Sequence, residues 1–507
     1  MKPEKLSDAI GNIDDELVEK TDEKRGQSKK KNGWIKWTAL AACFCLIIGA
    51  IFGVPALKNK NKTDGGPEDN LPPSAITNPI SNIKIEPLSF EYNAVYPNVV
   101  MCPDENDYFN ADGTFRSEEF HTAFQAWRDY ENSRPVLQDG YVGEMSGFYK
   151  AIVQKLLLDE SGKNVTCSPS NIYMALSMLA EVTDGNSRKQ ILDLLGAKDV
   201  EQLRKQAKEV WESSYENSNQ GTLILGNSFW LSDTYAYKTE PFDILKNNYY
   251  ASSFAGEMGS DKLNKRLQNW INEQTGGLLK EQANTAETKP SNILALVSTI
   301  YFKGQWDEKF MPLNNKTDTF HGTNGDRQCD FMYQKSDECG YLDGDGFTAV
   351  SKSFVDGSNM YFILPDSGKP EELIENGKAI DLVLDGNEIS DSNVRVNLSM
   401  PKFDVATDFD LKKSLTQLGV TDIMNGSVSD FSPMSDETGI YCSSAKHAAR
   451  VTVDEEGCKA AAFTMFAADS EAYMELNEVD FTLDRPFIFA ITNKDGLPLF
   501  FGIVNNM

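Results

Sequence analysis

Histidine is scarce, with three in 507 residues: His121, His321 and His447. That leaves little from which to build a zinc centre. The chain also has no H-E-x-x-H, no paired C-x-x-C and no G-x-S-x-G, so no metal and no cofactor is expected. Basic residues are outnumbered 49 to 76, for a net charge of −27. A phosphate backbone is held by an excess of Lys and Arg, so a nucleic-acid partner is excluded. Cysteine spacing shows no framework. Cys43 and Cys45 fall in an apolar run, and Cys102, Cys167, Cys329, Cys339, Cys442 and Cys458 are scattered. They read as mostly reduced, small buried hydrophobes. What the chain does have is 40% hydrophobic and 10% aromatic content, enough for a sizeable core.

Long apolar runs are also missing, with one exception. Residues 37–57, WTALAACFCLIIGAIFGVPAL, hold 21 residues without a charge, the length of a membrane-spanning helix. Trp34 and Trp37 stand at its entry, and Lys24, Arg25, Lys29, Lys30, Lys31 and Lys36 precede it. Only Lys58, Lys60 and Lys62 follow closely, so the charge bias puts the N-terminus in the cytoplasm. A cleaved signal peptide is the rival, but the leader is long and no A-x-A follows. Leu40-Ala41-Ala42-Cys43 matches a lipoprotein cleavage pattern, yet it opens the apolar run instead of closing it. The leader LSDAIGNIDDELVEK resembles the cytoplasmic tips of single-span surface proteins of Gram-positive, Clostridia-type bacteria.

The expected organisation follows from these features. Residues 1–36 are a cytoplasmic segment, 37–57 a single transmembrane helix in the cell membrane, and 58–85 a disordered linker rich in Lys, Asn, Pro and Gly. Residues 86–141 form an extension, with one helix over 117–132, that packs on an extracellular domain at 142–507. In that domain SGFYKAIVQKLLLDE, PSNIYMALSMLAEV and NSRKQILDLL keep helical spacing. TLILGNSFWL, NILALVSTIYF, NMYFILP, VRVNLSM, RPFIFAIT and PLFFGIVN read as strands. No repeat and no strict βαβ alternation is present, which predicts an α+β fold with mainly antiparallel sheets.

Nine short motifs then line up. They include Asn164-Val165 with Ser168-Pro169, Tyr301-Phe302-Lys303-Gly304-Gln305-Trp306, Pro401-Lys402-Phe403 and LKKSLTQLGVT from Leu411. Asp430-Phe431-Ser432, His447 at the opening of a strand, Glu455-Glu456-Gly457-Cys458-Lys459-Ala460-Ala461-Ala462, Arg485-Pro486-Phe487 and Phe501-Gly502-Ile503-Val504-Asn505 complete the series. In this order they resemble the serpin family over residues 142–507. The resemblance implies three sheets, about nine helices and an exposed reactive-centre loop. It implies a suicide inhibitor of serine-type proteases and not an enzyme: the loop is cut, its N-terminal part inserts into the large sheet, and the acylated protease is carried along. The protein is expected to act as a monomer.

The eight residues from Glu455 to Ala462 match the family's hinge. A segment that becomes a strand must alternate between two faces. Cys458, Ala460, Ala462, Thr464, Phe466 and Ala468 form an uncharged series suited to the buried face. Lys459, Ala461, Phe463, Met465, Ala467 and Asp469 fall on the outer one. The family carries Thr or Ser where Cys458 stands and Glu where Lys459 stands. Local chemistry taken alone reads otherwise, since Thr452-Val453-Asp454-Glu455 is a capping-box pattern followed by good helix formers. Family spacing from Gly457 puts the attacked bond at Glu471-Ala472, with Ala472-Tyr473 and Tyr473-Met474 as alternatives. Glu before the bond suits a Glu-specific protease, Ala an elastase-like one and Tyr a chymotrypsin-like one.

The resemblance also implies a hydrogen-bonded gate under the large sheet, made of Ser168, Asn171, Ser298 and His447, and an entry point at Trp306. The family has Ser where Asn171 stands and Asn where Ser298 stands, so this chain exchanges the two. The rival functions are a non-inhibitory serpin serving as surface binding protein or chaperone, and a Ser-His-Asp hydrolase. The clean inserting series disfavours the first, and the missing nucleophile elbow the second.

Overall fold

A computed structural model of the chain describes residues 89–138, 141–386, 389, 394–458 and 477–507. The segments expected at 1–36, 37–57 and 58–85 lie outside them. Among the described residues no helix is long and apolar enough to cross a membrane.

Three sheets carry the architecture. The largest has eight strands. Its path runs β1 (Phe90–Tyr92), β5 (Ser252–Gly256), β4 (Gly221–Ser232), β6 (Leu294–Gln305), β14 (Cys442–Val453) and β13 (Phe403–Asp410). The short β3 (Glu216–Asn217) pairs with β4, and β15 (Gly457–Cys458) pairs with β6. A six-stranded sheet runs β2 (Val165–Cys167), β18 (Pro498–Val504), β17 (Phe487–Thr492), β11 (Asn359–Pro365), β10 (Phe347–Ser353) and β9 (Gly340–Gly344). A four-stranded sheet runs β16 (Asn477–Thr482), β12 (Val394–Pro401), β8 (Gly325–Ser336) and β7 (Lys316–Gly322). Only β4–β5, β6–β14 and β12–β16 run parallel among these neighbours.

Burial explains which runs became which strands. Every side chain of β17 and β18 is buried, because this sheet lies inside the molecule. β12 instead alternates, with Val394, Val396, Leu398 and Met400 buried and Arg395, Asn397 and Ser399 half-exposed. Helix Pro169–Glu181 is buried along its whole length, which fits a sequence that is small or apolar on all sides. It starts where Ser168 Oγ accepts the Asn171 N–H at 3.3 Å, with Pro169 in the first turn.

Twelve α-helices occur among the described residues, more than the nine expected. The surplus is mostly local. Tyr141–Glu144, Lys280–Thr285 and Pro370–Glu375 are one to two turns long, and Ser117–Ser133 precedes the family-like region. The six described cysteines are all free.

The segment before residue 139 lies on the domain at named contacts. β1 adds an edge strand to β5, with Phe90 opposite Ala255. The Tyr96 ring sits 5.2 Å from that of Trp211, and its hydroxyl donates to Gln274 Oε1 at 2.5 Å. Arg134 pairs with Glu216 and donates to the Tyr215 carbonyl at 2.7 Å.

Candidate functional site: the seam between β6 and β14

β6 and β14 are parallel neighbours in the middle of the large sheet. Their ladder runs from Cys442 opposite Leu294 to Ala448 opposite Thr299. Above that point both strands continue, β6 to Gln305 and β14 to Val453. β14 keeps its ladder with β13 up to Val453 opposite Phe403. Among the described residues, the strand that enters the upper seam is β15. It runs antiparallel to β6, with Gly457 opposite Gln305 and Cys458 opposite Gly304.

The chain reaches β15 by reversing at residues 454–457. The Asp454 N–H donates to the Gly457 carbonyl at 3.0 Å, and the Gly457 N–H returns to the Asp454 carbonyl at 3.3 Å. The Asp454 carboxylate accepts the Glu456 N–H at 2.9 Å. Gly457 has φ +143°, a region that side chains rarely adopt, and an added Cβ would run into the Gly304 carbonyl. Glycine is therefore required on two counts.

The reversal is clamped by the end of β6. The Trp306 N–H donates to the Glu456 carbonyl at 3.0 Å, and the Phe310 N–H to that of Glu455 at 3.1 Å. The Trp306 indole N–H donates to the Asp454 carbonyl at 3.0 Å. Its ring is fully buried and stacks on Phe354 with centroids 4.4 Å apart. The Lys352 ammonium lies 5.5 Å from that ring and donates to Gln334 Oε1 at 2.8 Å. Burial draws the Lys352 pKa down. Charges complete the clamp. Lys309 Nζ is 2.6 Å from Glu456, and Lys402 Nζ is 2.6 Å from Glu455. Burial pushes the Glu455 carboxyl upward. The Lys402 hydrogen bond, with Asn315 Nδ2 at 2.5 Å, outweighs it and holds the group below its usual value.

The base of the seam is held by neutral groups. His447 lies in mid-strand on β14, not at its opening, because β14 already starts at Cys442. Its Nε2 accepts the Ser168 N–H at 3.0 Å, and its Nδ1 lies 3.4 Å from Ser298 Oγ. Burial pushes its pKa down to about 3, so the ring is neutral. Asn171 reaches up from its helix to donate to the Thr299 carbonyl at 2.5 Å. Its own Oδ1 accepts Asn227 Nδ2 at 2.8 Å. Ser168, Asn171, Ser298 and His447 are thus brought together, and all four are buried.

Several partners were not read from the sequence. Asn227 faces Ser298 across the β4–β6 ladder, and its signal was a polar pair inside an apolar run, Asn227-Ser228. Lys309 and Asn315 left no signal, since each meets a glutamate about 140 residues away. Lys459, Ala460, Ala461, Ala462, Glu471, Ala472, Tyr473 and Met474 lie outside the described residues. The capping-box pattern at 452–455 forms no helix start: Thr452 and Val453 end β14, and the tight reversal follows.

The Ser298–His447 pair is sealed under the sheet, and among the described residues no carboxylate is hydrogen-bonded to the ring. His121 and His321 are exposed; the His121 ring meets Ser117 Oγ at 3.3 Å, and the His321 ring meets Asp326 at 2.9 Å. Among the described residues, none of the three histidines is held between a serine and a carboxylate.

A family model described as "Serpin (serine protease inhibitor)" matches residues 144–507. The chain belongs to the serpin family. Among curated relatives, this serpin is 29% identical to Iris of Ixodes ricinus over 365 residues, covering 69% of this chain and 95% of Iris. It is 28% identical to human leukocyte elastase inhibitor over 351 residues, covering 67% and 92%. Among solved structures, the native state of the thermophilic serpin Tengpin aligns with TM-score 0.65 and 24% identity, over 74% of this chain and 96% of Tengpin. Human thyroxine-binding globulin complexed with thyroxine aligns with TM-score 0.63 and 22% identity, over 72% and 99%. At these identities the structural likeness shows the fold alone. The family is described as one of serine protease inhibitors, and human leukocyte elastase inhibitor carries that role in its name.

Proposed function

We propose that this serpin is a suicide inhibitor of serine-type endopeptidases, acting by cleavage of the loop after Cys458 and its insertion between β6 and β14. The observation that carries the reading is the upper seam: Gly457 and Cys458 already pair with the end of β6, while the β6–β14 ladder is described only below Thr299 and Ala448. Cys458 is buried there, as the inward series requires. Attack by the protease serine oxygen on the loop carbonyl forms an ester and releases the new amino terminus with a proton. Insertion then competes with hydrolysis of that ester.

The energetic scale supports such a step. A strand of roughly 12 to 15 residues hydrogen-bonded on both sides gains on the order of 10 to 25 kcal/mol at about 1 kcal/mol net per bond. At about 3.3 Å per residue it spans roughly 45 Å. The bond proposed is Glu471-Ala472, with Ala472-Tyr473 and Tyr473-Met474 behind it, and the attacking class is Glu-specific, elastase-like or chymotrypsin-like accordingly. Residues 37–57 are proposed to tether this domain outside a cell membrane, with the N-terminus cytoplasmic and the source a Gram-positive bacterium.

The test is incubation of the full chain with these three protease classes, followed by a denaturing gel. A covalent complex is expected, and the released C-terminal peptide identifies the bond. Cleavage with no complex and no gain in thermal stability would mean a substrate or a non-inhibitory binding protein instead.

A further inference from the structure

Exposed apolar surface is concentrated in one place. Of the ten most exposed large hydrophobic side chains among the described residues, six lie between residues 95 and 136: Val95, Val100, Met101, Phe109, Phe115 and Val136. The domain proper accounts for only four. A patch of this kind marks an interaction site when its place and charge say for what.

Phe109 and Phe115 belong to a small built unit. Phe109 and Phe115 bridge as an antiparallel pair, and the Arg116 N–H closes back on the Tyr108 carbonyl at 2.7 Å. Helix Ser117–Ser133 follows and buries no residue fully. A row of rings runs along it. Centroids are 5.0 Å apart for Phe109–Phe115, 5.4 Å for Phe115–Phe120, 5.8 Å for Phe120–Phe124 and 5.3 Å for Phe124–Trp127. Phe109 is 49% and Phe115 38% exposed, so the open end of the row is the bridge.

Both ends of the unit are fastened near one edge of the large sheet. At one end the Cys102 carbonyl accepts Asn219 Nδ2 at 2.8 Å. At the other, Arg134 pairs with Glu216, both side chains being less than a tenth exposed. Residues 216–219 lead into the top of β4, and the Asn219 carbonyl accepts Gln305 Nε2 at 3.4 Å. Gln305 is the residue that pairs with Gly457. Two hydrogen bonds and one ladder step therefore join the aromatic unit to the root of the loop. The unit's charge is also one-sided: residues 104–133 hold eight acids against two arginines.

We infer that the aromatic unit at residues 104–133 is a docking surface for the protease that attacks the loop, and that it selects a protease carrying a basic, partly apolar face beside its active-site cleft. The inference rests on the reading that a protease cuts this loop. Any enzyme seated on the loop comes to the same end of the large sheet. With Glu119 paired to Arg116 and Glu131 to Arg134 and Lys494, the net negative charge that remains there steers a basic partner in, and Phe109 and Phe115 give it apolar area to close on. Because the unit is tied down at both ends, little ordering is left to be done on binding.

The test compares the full chain with Phe109→Ser/Phe115→Ser and, separately, with Glu105→Gln/Glu118→Gln, against chymotrypsin, pancreatic elastase and a glutamate-specific endopeptidase. Intact-mass spectrometry counts cut chains and covalent complexes alike, so it reads loop loss whether or not inhibition occurs. The aromatic variant should lose its loop at least tenfold more slowly with the proteases of basic surface. The charge variant should lose it about threefold more slowly at low salt and equally at high salt. The same thermal transition as the parent confirms folding, and the charge variant tests the surface without touching the rings. Equal rates for parent and both variants overturn the inference. Equal rates in which only the parent sediments as a dimer overturn it in favour of a second copy. Unequal rates without any covalent complex leave the docking surface standing and overturn inhibition alone. A loop cut by none of the three overturns both.

Discussion

The two ends of the β6–β14 seam are held by opposite kinds of chemistry. At the base, Ser168, Asn171, Ser298 and His447 form a dry network of uncharged hydrogen bonds. At the top, the reversal at 454–457 is gripped by two ion pairs at the rim and by backbone and indole donors beneath. Neutral bonds in a sealed site stay unexchanged until the site opens as a unit. Partly exposed ion pairs are weak one by one and sensitive to salt. The difference teaches that the seam is built to yield from the top downward.

Breaking the base should have the largest effect. His447→Ala leaves the buried Ser168 N–H without its acceptor, takes one of two partners from the Ser298 hydroxyl and opens a hole. Denaturant unfolding should show a loss of about 2–5 kcal/mol. Acid should reach the same network in the parent. The folded-state pKa of His447 is depressed to about 3 against an ordinary value of 6.5. Between these values the unfolded chain binds the proton and the folded one does not. Stability from this group is thus complete above pH 6.5 and is lost as pH falls, by about 1.4 kcal/mol per unit. Unfolding midpoints measured between pH 7 and 4 should fall on that slope, and His447→Ala should flatten it.

Effects at the top should be graded. Gly457→Ala forces a Cβ into the Gly304 carbonyl at φ +143° and should cost about 1–3 kcal/mol. Amide exchange at Gln305 and Trp306 should rise with it, while exchange at Ser298 should not. Trp306→Phe keeps the backbone donor but removes the indole N–H and part of a buried, stacked ring, for about 1–3 kcal/mol. Lys402→Met removes one partly exposed ion pair and should cost under about 1 kcal/mol, vanishing at high salt. A larger loss for Lys402→Met than for His447→Ala would reverse the comparison.

Much of this fold could be read in the sequence, for reasons that differ by element. The runs that became β4, β6, β11, β12, β17 and β18 are dense in β-branched and aromatic residues because they lie at the centre of sheets. Helix Ser117–Ser133 was placed to within one residue of its end, since its rings recur at helical spacing. The three-residue β1 had no such pattern, because an edge strand needs only its backbone. At the site, the nine residues of the gate, the entry and the start of the hinge were named from family motifs. Their geometry was not, since hydrogen bonds such as Ser168 to His447 join points 279 residues apart. Local propensity was misleading at 452–455, where strand pairing with β13 overrode a helix-capping pattern.

The pairing of Cys458 with Gly304 has one more consequence. In the proposed insertion it would act as an early tooth of a zip. Strand side chains take sides with a period of two, so engaging one tooth assigns an inside or outside place to each residue that follows. On the proposed insertion, the loop's length up to the cut could vary in steps of two without disturbing that assignment. A single deletion just after Cys458 would turn Phe463 and Met465 inward, and with them the whole sequence of small residues outward.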